Sequence, residues 1–395
     1  MDDIGMTWRI LSGSTHWLGL LDRPPNNLRR YLNHYGEMAE ATYDAYNKVS
    51  VSKNAGNCRY SRRNLLSRVG LVEGRPLSQY EVTKYIYATS AVVLPGAFVN
   101  SVSEQAWSKK SNWIGFVAVA TEEGKKVLGR RDIMVVWRGT VNASDMIHDI
   151  EFPLVSAPKI FGVLNKDDPK VHEGWYSIYT TDDQNTRYNK TSARDQVLTE
   201  VKRLVNLYRL DEMSLTITGH SMGAAVATLN GLDIVINGIN KQSIAPPVAC
   251  PVTVFGFASP GVGDSNFNKV FTLQTDLYCL RVQNVLDVVP KYPPIGYKNV
   301  GSEMTIDFMR SGYLKLPGSL EVGIAWRVIC MGLQEHKEFW LEINRDISLV
   351  NKFADDLKPE YGVPSYWWTE KNTGMVQKKD GTWELQDQED LESDP

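Results

Sequence analysis

The stretch LTITGHSMGAAVATLNGLDIV, residues 215–235, decides how the chain is read. A β-branched apolar run, SLTITGH, is followed after Ser221, Met222 and Gly223 by AAVATLNGLDIVI, an apolar segment rich in small residues. The first has the length and composition of a buried strand, the second those of a helix with a small-residue face. Between them Gly219, His220, Ser221, Met222 and Gly223 fit G-x-S-x-G, the sharp strand-to-helix turn that exposes a serine at the end of a sheet. Glycines are required because side chains two residues either side of the serine would collide with neighbouring elements. Ala224 and Ala225 then let the helix start close behind the turn, where its N-terminus favours a developing oxyanion. The plain alternative, a glycine-rich turn whose serine caps the helix, leaves those two alanines unexplained.

Working outward, Ser192 can cap RDQVLTEVKRLVNLYRL, whose Val197, Val201, Leu204, Val205 and Tyr208 recur at helical spacing. PVTVFGFASP (251–260) and LYCLRVQNVLD (277–287) are strand-like. Upstream, GFVAVATEE (115–123) and DIMVVWRGT (132–140) read as paired strands joined by a charged turn. This alternation predicts an α/β protein with a mostly parallel central sheet flanked by helices. In the first 50 residues Leu28, Tyr31, Leu32, Tyr35, Met38, Ala41, Tyr43 and Tyr46 suggest one or two amphipathic helices, a cap on the main body. One domain over 1–395 is expected, with an acidic tail at 383–395 left disordered.

At 43% hydrophobic and 23% charged residues, the 395-residue chain can build a sizeable core under an ordinary polar surface. A net charge of -3 gives no reason to expect nucleic acid, and CRYSRR (58–63) reads as a solvated loop. The N-terminus is acidic where a secretory signal is basic. The longest candidate membrane run, GIAWRVICMGL (323–333), is too short for a transmembrane span and carries Arg327. A cytoplasmic protein is the expectation. Cys58, Cys250, Cys279 and Cys330 lie far apart without zinc-like spacing, so reduced thiols and no metal or other cofactor are expected. The sequons at Asn142 and Asn189 are read as chance matches.

A serine hydroxyl needs a base to take its proton, and the base needs a carboxylate to fix its tautomer. On this fold the chain order is Ser, Asp, His. Of six histidines, His16, His34, His148 and His172 precede Ser221, and His220 adjoins it, expected to pack under the turn. Only His336, in GLQEHKEFWLEI, follows, which makes it the candidate base; a surface histidine amid Glu335, Lys337 and Glu338 is the alternative. Asp287 comes directly after a strand and before a proline-bounded loop, so it is preferred as the acid. Asp264 follows a glycine turn and is expected to cap the next helix. His148 and His172 are read as structural, or as supporting the site from behind.

Taken together, WRGT (137–140), VHEGWYSIYT (171–180), TGHSMGAAVATL (218–229), FGFASPGVGD (255–264) and RVQNVLDVVPKYP (281–293) resemble the class 3 lipases. The chain is more closely similar to the plant phospholipase A1 enzymes of the cytosolic class II type, from RYLNHYGEMAEATYDAYN to INRDISLVNK and GMVQKKDGTWEL. The resemblance implies an α/β-hydrolase fold and metal-free hydrolysis of the sn-1 acyl ester of glycerophospholipids, through an acyl-serine, at a membrane or micelle surface. It also implies an oxyanion hole made by Thr140 and the backbone N–H of Met222. The segment VNASDMIHDIEFPLVSAPKIFGVL (141–164) reads equally as a lid over an acyl site or as core helix and strand.

One departure stands out. Members of the family carry the catalytic histidine in a Trp-His-x-Leu-Glu segment followed by a Tyr-Leu-His-like one. Here the region reads YLKLPGSLEVGIAWRVICMGLQEHKEFWLEINRD, with Gly318 before SLE and Arg327 after Trp326. Either His336 has taken over the role, or the chain is a lipase-fold lipid-binding protein with impaired turnover, or the segment reflects an altered splice boundary. A soluble carboxylesterase or thioesterase would use the same serine on a smaller acyl group.

Overall fold

The computed structural model describes residues 4–48, 50, 52, 54–71, 77, 79–94, 98, 111–140, 152–162, 168–243, 246–307, 358, 375–377 and 383–385. Its strands are β1 (Tyr80–Ala88), β2 (Asn112–Ala120), β3 (Arg131–Trp137), β4 (Leu154–Ser156), β5 (Lys170–His172), β6 (Met213–His220), β7 (Val252–Phe257), β8 (Leu277–Asn284), β9 (Ser302–Ile306), β10 (Met375–Gln377) and β11 (Trp383–Leu385). Seven of them form one sheet in the order β1-β2-β3-β6-β7-β8-β9. The first three pair antiparallel, and β3, β6, β7, β8 and β9 pair in parallel. The expected α/β-hydrolase architecture, mostly parallel and covered by helices, is the one observed. β10 and β11 pair with each other, so the strand Trp383–Leu385 occupies the start of the expected tail, and 386–395 lie outside the described residues.

Alternation along the strands sends side chains to two cores. Ile133, Val135 and Trp137 of β3 with Leu215 and Ile217 of β6 enter one, beneath helices at Glu173–Thr180, Ala193–Leu207 and Met222–Ile236. Met134, Val136, Phe255 and Phe257 enter the other, beneath α1 (Ile4–Leu11) and α2 (Asn26–Asp44). The helical pattern read in the first 50 residues is therefore α2, whose Leu28, Tyr31, Leu32, Tyr35, Met38 and Ala41 are all buried. Among the described residues, no helix is long and apolar enough to cross a membrane.

After the short α3 (Leu65–Arg68), the charged turn expected between β2 and β3 is instead a helix, α4 (Glu122–Leu128). Thr121 caps it by accepting from the Gly124 N–H at 3.2 Å, Glu122 and Glu123 sit in its first turn, and Gly129 ends it in the left-handed region. Those are helix start and stop signals that a reading based on polarity alone passes over. In the CRYSRR loop Cys58, Tyr60 and Ser61 are buried, so only the arginines fit the expected solvated character. Asn189 is fully buried, its amide donating to the Tyr87 carbonyl at 2.7 Å, which bars a glycan there; Asn142 lies outside the described residues.

Within the core beneath α2 the sheet also carries a buried polar network. One Asp132 oxygen accepts from Tyr35 at 2.8 Å and Tyr80 at 2.7 Å, the other from Ser214 at 2.6 Å and Thr216 at 2.7 Å. Arg130 lies 3.5 Å from the carboxylate and donates to Ser214, Tyr31, Tyr35 and the Leu128 carbonyl. Burial, then the Asp132 charge, pushes the Tyr35 and Tyr80 hydroxyls well up, so both remain donors. Removing one member of a satisfied buried pair strands the other. Asp132→Ala should therefore lower the unfolding free energy by about 3–5 kcal/mol in urea denaturation, against about 1 kcal/mol for Tyr80→Phe; equal losses would show that Asp132 does not anchor the network.

Candidate active site

The strand β6 ends at His220, and the helix α8 begins at Met222. We number the helices between α4 and α8 as α5 (Pro158–Phe161), α6 (Glu173–Thr180) and α7 (Ala193–Leu207), with α8 (Met222–Ile236) and α9 (Ser265–Thr272) following. Ser221, between strand and helix, has φ 56° and ψ -127°, a conformation that a side chain makes costly. It is pinned from both sides: its N–H donates to the Phe257 carbonyl at 2.8 Å, and its carbonyl accepts from the Ala224 N–H at 2.9 Å. The glycines are sterically compelled. A methyl group on Gly219 would sit 2.9 Å from the Ala224 nitrogen and against the Gly223 carbonyl; one on Gly223 would meet the Trp137 carbonyl oxygen and lie 2.8 Å from the Arg138 carbonyl carbon. Backbone touches backbone at both positions, so no side-chain shift could make room.

The second contact joins the elbow to the end of β3. Trp137 pairs with Gly219 in the parallel ladder, and the chain beyond it is fixed by Arg138, whose side chain is fully buried. Arg138 donates to the Trp113 carbonyl at 3.1 Å and the Gly139 carbonyl at 2.8 Å and stacks 3.8 Å over the Tyr46 ring. Gly139 is pressed against the Tyr43 hydroxyl and the His220 carbonyl, again leaving no space for a side chain. The following residue, Thr140, is buried beside this junction. Met222 opens α8, so its N–H belongs to the first turn, which the helix itself leaves without partners. Thr140 and Met222 are thus both carried to the elbow.

Asp287 follows β8 by three residues and is only 6% exposed. Its Oδ1 accepts from the Val289 N–H at 2.9 Å. Its Oδ2 is buried and has no hydrogen-bond partner among the described residues. Burial pushes its carboxyl up to about 6, against the opposing pull of the Val289 N–H and Lys291. A buried acceptor left open costs roughly 1–3 kcal/mol, and such groups call for an explanation. Asp264, the competitor, is fully employed as the expected cap: its Oδ1 accepts from Phe267 N–H at 2.8 Å and Lys170 N–H at 3.2 Å. Strand ends bring Asp287 toward the elbow, since Ser221 bonds the end of β7 and Ala258, next along β7, donates to Val282 of β8 at 2.8 Å.

The histidines separate clearly. His172 caps α6, accepting from the Trp175 N–H at 3.3 Å with its ring stacked 4.1 Å from that indole, so it is structural. His34 packs between Tyr35 and Tyr80, and His16 meets Tyr278 edge-on. His220 turns away under the elbow, its Nδ1 2.8 Å from the Tyr43 hydroxyl. His336 and His148 lie outside the described residues. Of the 141–164 segment, the described part is mostly half-buried or exposed: β4 pairs with β5, and only Ala157 and Ile160 are buried. Ile147 and Ile150 lie outside it. Sequence reading placed Tyr43 only in the helical pattern of the first 50 residues and Arg138 only within WRGT, with no role at the site for either.

Comparison with known proteins bears on the family. Residues 134–297 match the family described as Lipase (class 3). Phospholipase A1-IIgamma of Arabidopsis thaliana is 48% identical over 392 residues, covering 97% of this chain and 93% of that one. Phospholipase A1-II 1 of Oryza sativa subsp. indica is 48% identical over 398 residues, 99% of this chain and 98% of that one. Phospholipase A1-IIbeta of Arabidopsis thaliana is 45% identical over 391 residues, with 97% and 94% covered.

Two outcomes follow from the geometry. Gly223→Ala should either unfold the chain or displace the elbow, with loss of both thermal stability and reaction toward a fluorophosphonate; a variant that melts and labels like the parent would contradict the close approach. Asp287 has its carboxyl raised from 3.8 to about 6, so the neutral form is favoured in the fold. The stability this confers is complete below the unfolded value and lost as pH rises through about 6. Asn is neutral throughout. Between about pH 4 and pH 8 the stability of Asp287→Asn should therefore rise relative to the parent by roughly 3 kcal/mol, read by urea denaturation at each pH, and a constant difference would refute the raised carboxyl.

Proposed function

The chain belongs to the class 3 lipase family, and from that we propose that it is a serine acylhydrolase cleaving the sn-1 acyl ester of glycerophospholipids. The observation that carries the reading is Ser221, held at positive φ between β6 and α8 by two backbone-to-backbone contacts. In this proposal the Ser221 Oγ attacks the ester carbonyl while a histidine takes its proton. The oxyanion that forms accepts from Thr140 and from the Met222 N–H, donors worth a few kcal/mol each in a water-poor site. The histidine returns its proton to the leaving glycerol oxygen, lysophospholipid departs, and water then cleaves the acyl-serine by the same steps.

The orienting acid we assign is Asp287, whose open Oδ2 suits an imidazole N–H. The base we assign is His336, since it alone follows Ser221 in the chain. No metal or organic cofactor enters these steps. We place the enzyme in the cytoplasm, acting on phospholipid at a membrane or micelle surface.

The test uses phosphatidylcholine with different acyl chains at its two positions, presented in mixed micelles. The sn-1 acid should be released, and Ser221→Ala should lower kcat by about 10³-fold or more. His336→Ala should fall as far, and the double variant hardly further, because members of a triad act as a unit. Release of the sn-2 acid would overturn the regiochemistry. Activity of more than about a tenth in Ser221→Ala would overturn the nucleophile, and a harmless His336→Ala in an active chain would remove His336 from the triad.

A further inference from the structure

The cap helix α2 delivers a side chain into the joint between the elbow and the oxyanion strand. Tyr43, one residue before the end of α2, has its hydroxyl 2.8 Å from the His220 Nδ1 and packed directly against Gly139. His220 adjoins the proposed nucleophile, and Gly139 adjoins the proposed oxyanion donor. Gly139 also lies directly against the Tyr43 oxygen and the His220 carbonyl. One phenol thus spans the two chain segments whose separation sets the distance between Ser221 and Thr140.

We propose that Tyr43 is a positioning residue for the oxyanion hole: its hydroxyl, hydrogen-bonded to His220 Nδ1 and packed against Gly139, locks the Thr140 strand end onto the Ser221 elbow.

A neutral phenol donates to Nδ1 when the imidazole carries its proton on Nε2. Burial, above the opposing influence of Arg138, pushes the Tyr43 hydroxyl well up, so the proton stays in place across the working pH range. The ring meets His220 edge-on at 5.7 Å between centroids, which fixes the phenol from the side as well. Both Ser221 at positive φ and the glycine-lined crossing at Gly139 are held by surroundings and not by their own preferences. A bridge between them therefore has a direct route to the donor geometry, where a misplacement of about 1 Å costs around 10²-fold in rate.

The inference rests on the hydrolase reading, and its test separates the two. Tyr43→Phe deletes one hydroxyl and keeps the ring. With a short monomeric ester, kcat should fall roughly 10- to 100-fold while KM stays within about 2-fold, since only the transition state uses the hole. A trifluoromethyl ketone, which forms a tetrahedral adduct on the serine, should lose affinity by the same factor as kcat/KM. A non-hydrolysable ether phospholipid should bind as it does to the parent. His220→Leu breaks the same bridge from its other end, so Tyr43→Phe/His220→Leu should be scarcely worse than the weaker single variant, even if one of them proves less stable. A parent chain that turns over ester, with Tyr43→Phe equal to it in kcat and ketone affinity, overturns the positioning role alone. Equal losses for ketone and ether lipid overturn it as well, because they mark general damage. A parent that neither hydrolyses ester nor binds ketone overturns the hydrolase reading and this role together.

Discussion

The approach of α8 to the end of β3, backbone against backbone at Gly223, is the constraint on which the rest of the structure depends. A helix can come that close to a sheet only if its facing side chains are nearly absent, and α8 meets the condition along its length. Ala224 lies 3.5 Å from where a side chain on Gly256 would stand, and a methyl on Gly231 would be 2.7 Å from Val254. Because α8 starts so near the sheet, the residue between it and β6 has no room for an ordinary turn. Ser221 is forced to positive φ.

The two faces of the sheet solve burial in different ways, and the difference bears on the site. Beneath α6, α7 and α8 the sheet is apolar. Beneath α2 it carries Arg130 and Asp132, both fully buried and fully engaged. A buried ion pair is weak evidence of stability, because desolvation offsets most of its attraction. Its donors and acceptors do fix position, however, since Tyr31 and Tyr35 of α2 can satisfy Arg130 and Asp132 in only one placement of the helix. Tyr43 stands eight residues beyond Tyr35 on the same helix, roughly 12 Å along its axis at 1.5 Å per residue. The network that anchors one end of α2 therefore sets where Tyr43 meets His220 and Gly139 at the other.

Features encoded within a few residues were legible in the sequence. The elbow, its flanking strand and helix, the cap at Ser192, the cap at Asp264 and the packing of α2 all follow from local spacing. α4 was missed because its signals were read as polarity, although Thr121 and Gly129 are ordinary cap residues. β1 was missed because its outer position leaves Glu81 exposed and interrupts the apolar run, as an edge strand permits. Arg138 and Tyr43 were beyond local reasoning altogether. Their roles arise where residues 43, 138–139 and 220 converge, and nothing in any one of those segments announces the other two.

The preference for Asp287 over Asp264 shows how structure sharpens a choice that the sequence had only weighted. Both are aspartates in turns after strands, and both accept from backbone N–H groups. Asp264 gives its oxygen to two N–H donors and has the solvent-facing helix cap as sufficient reason to exist. Asp287 keeps one oxygen buried and open among the described residues, which no structural role requires. The buried carboxylates Asp132 and Asp233 are each bonded by several donors, which Asp287 Oδ2 is not. The strained serine lies at the same edge of the sheet. A strained backbone and a buried acceptor left open at one place are the kind of local cost that chemistry at a site imposes.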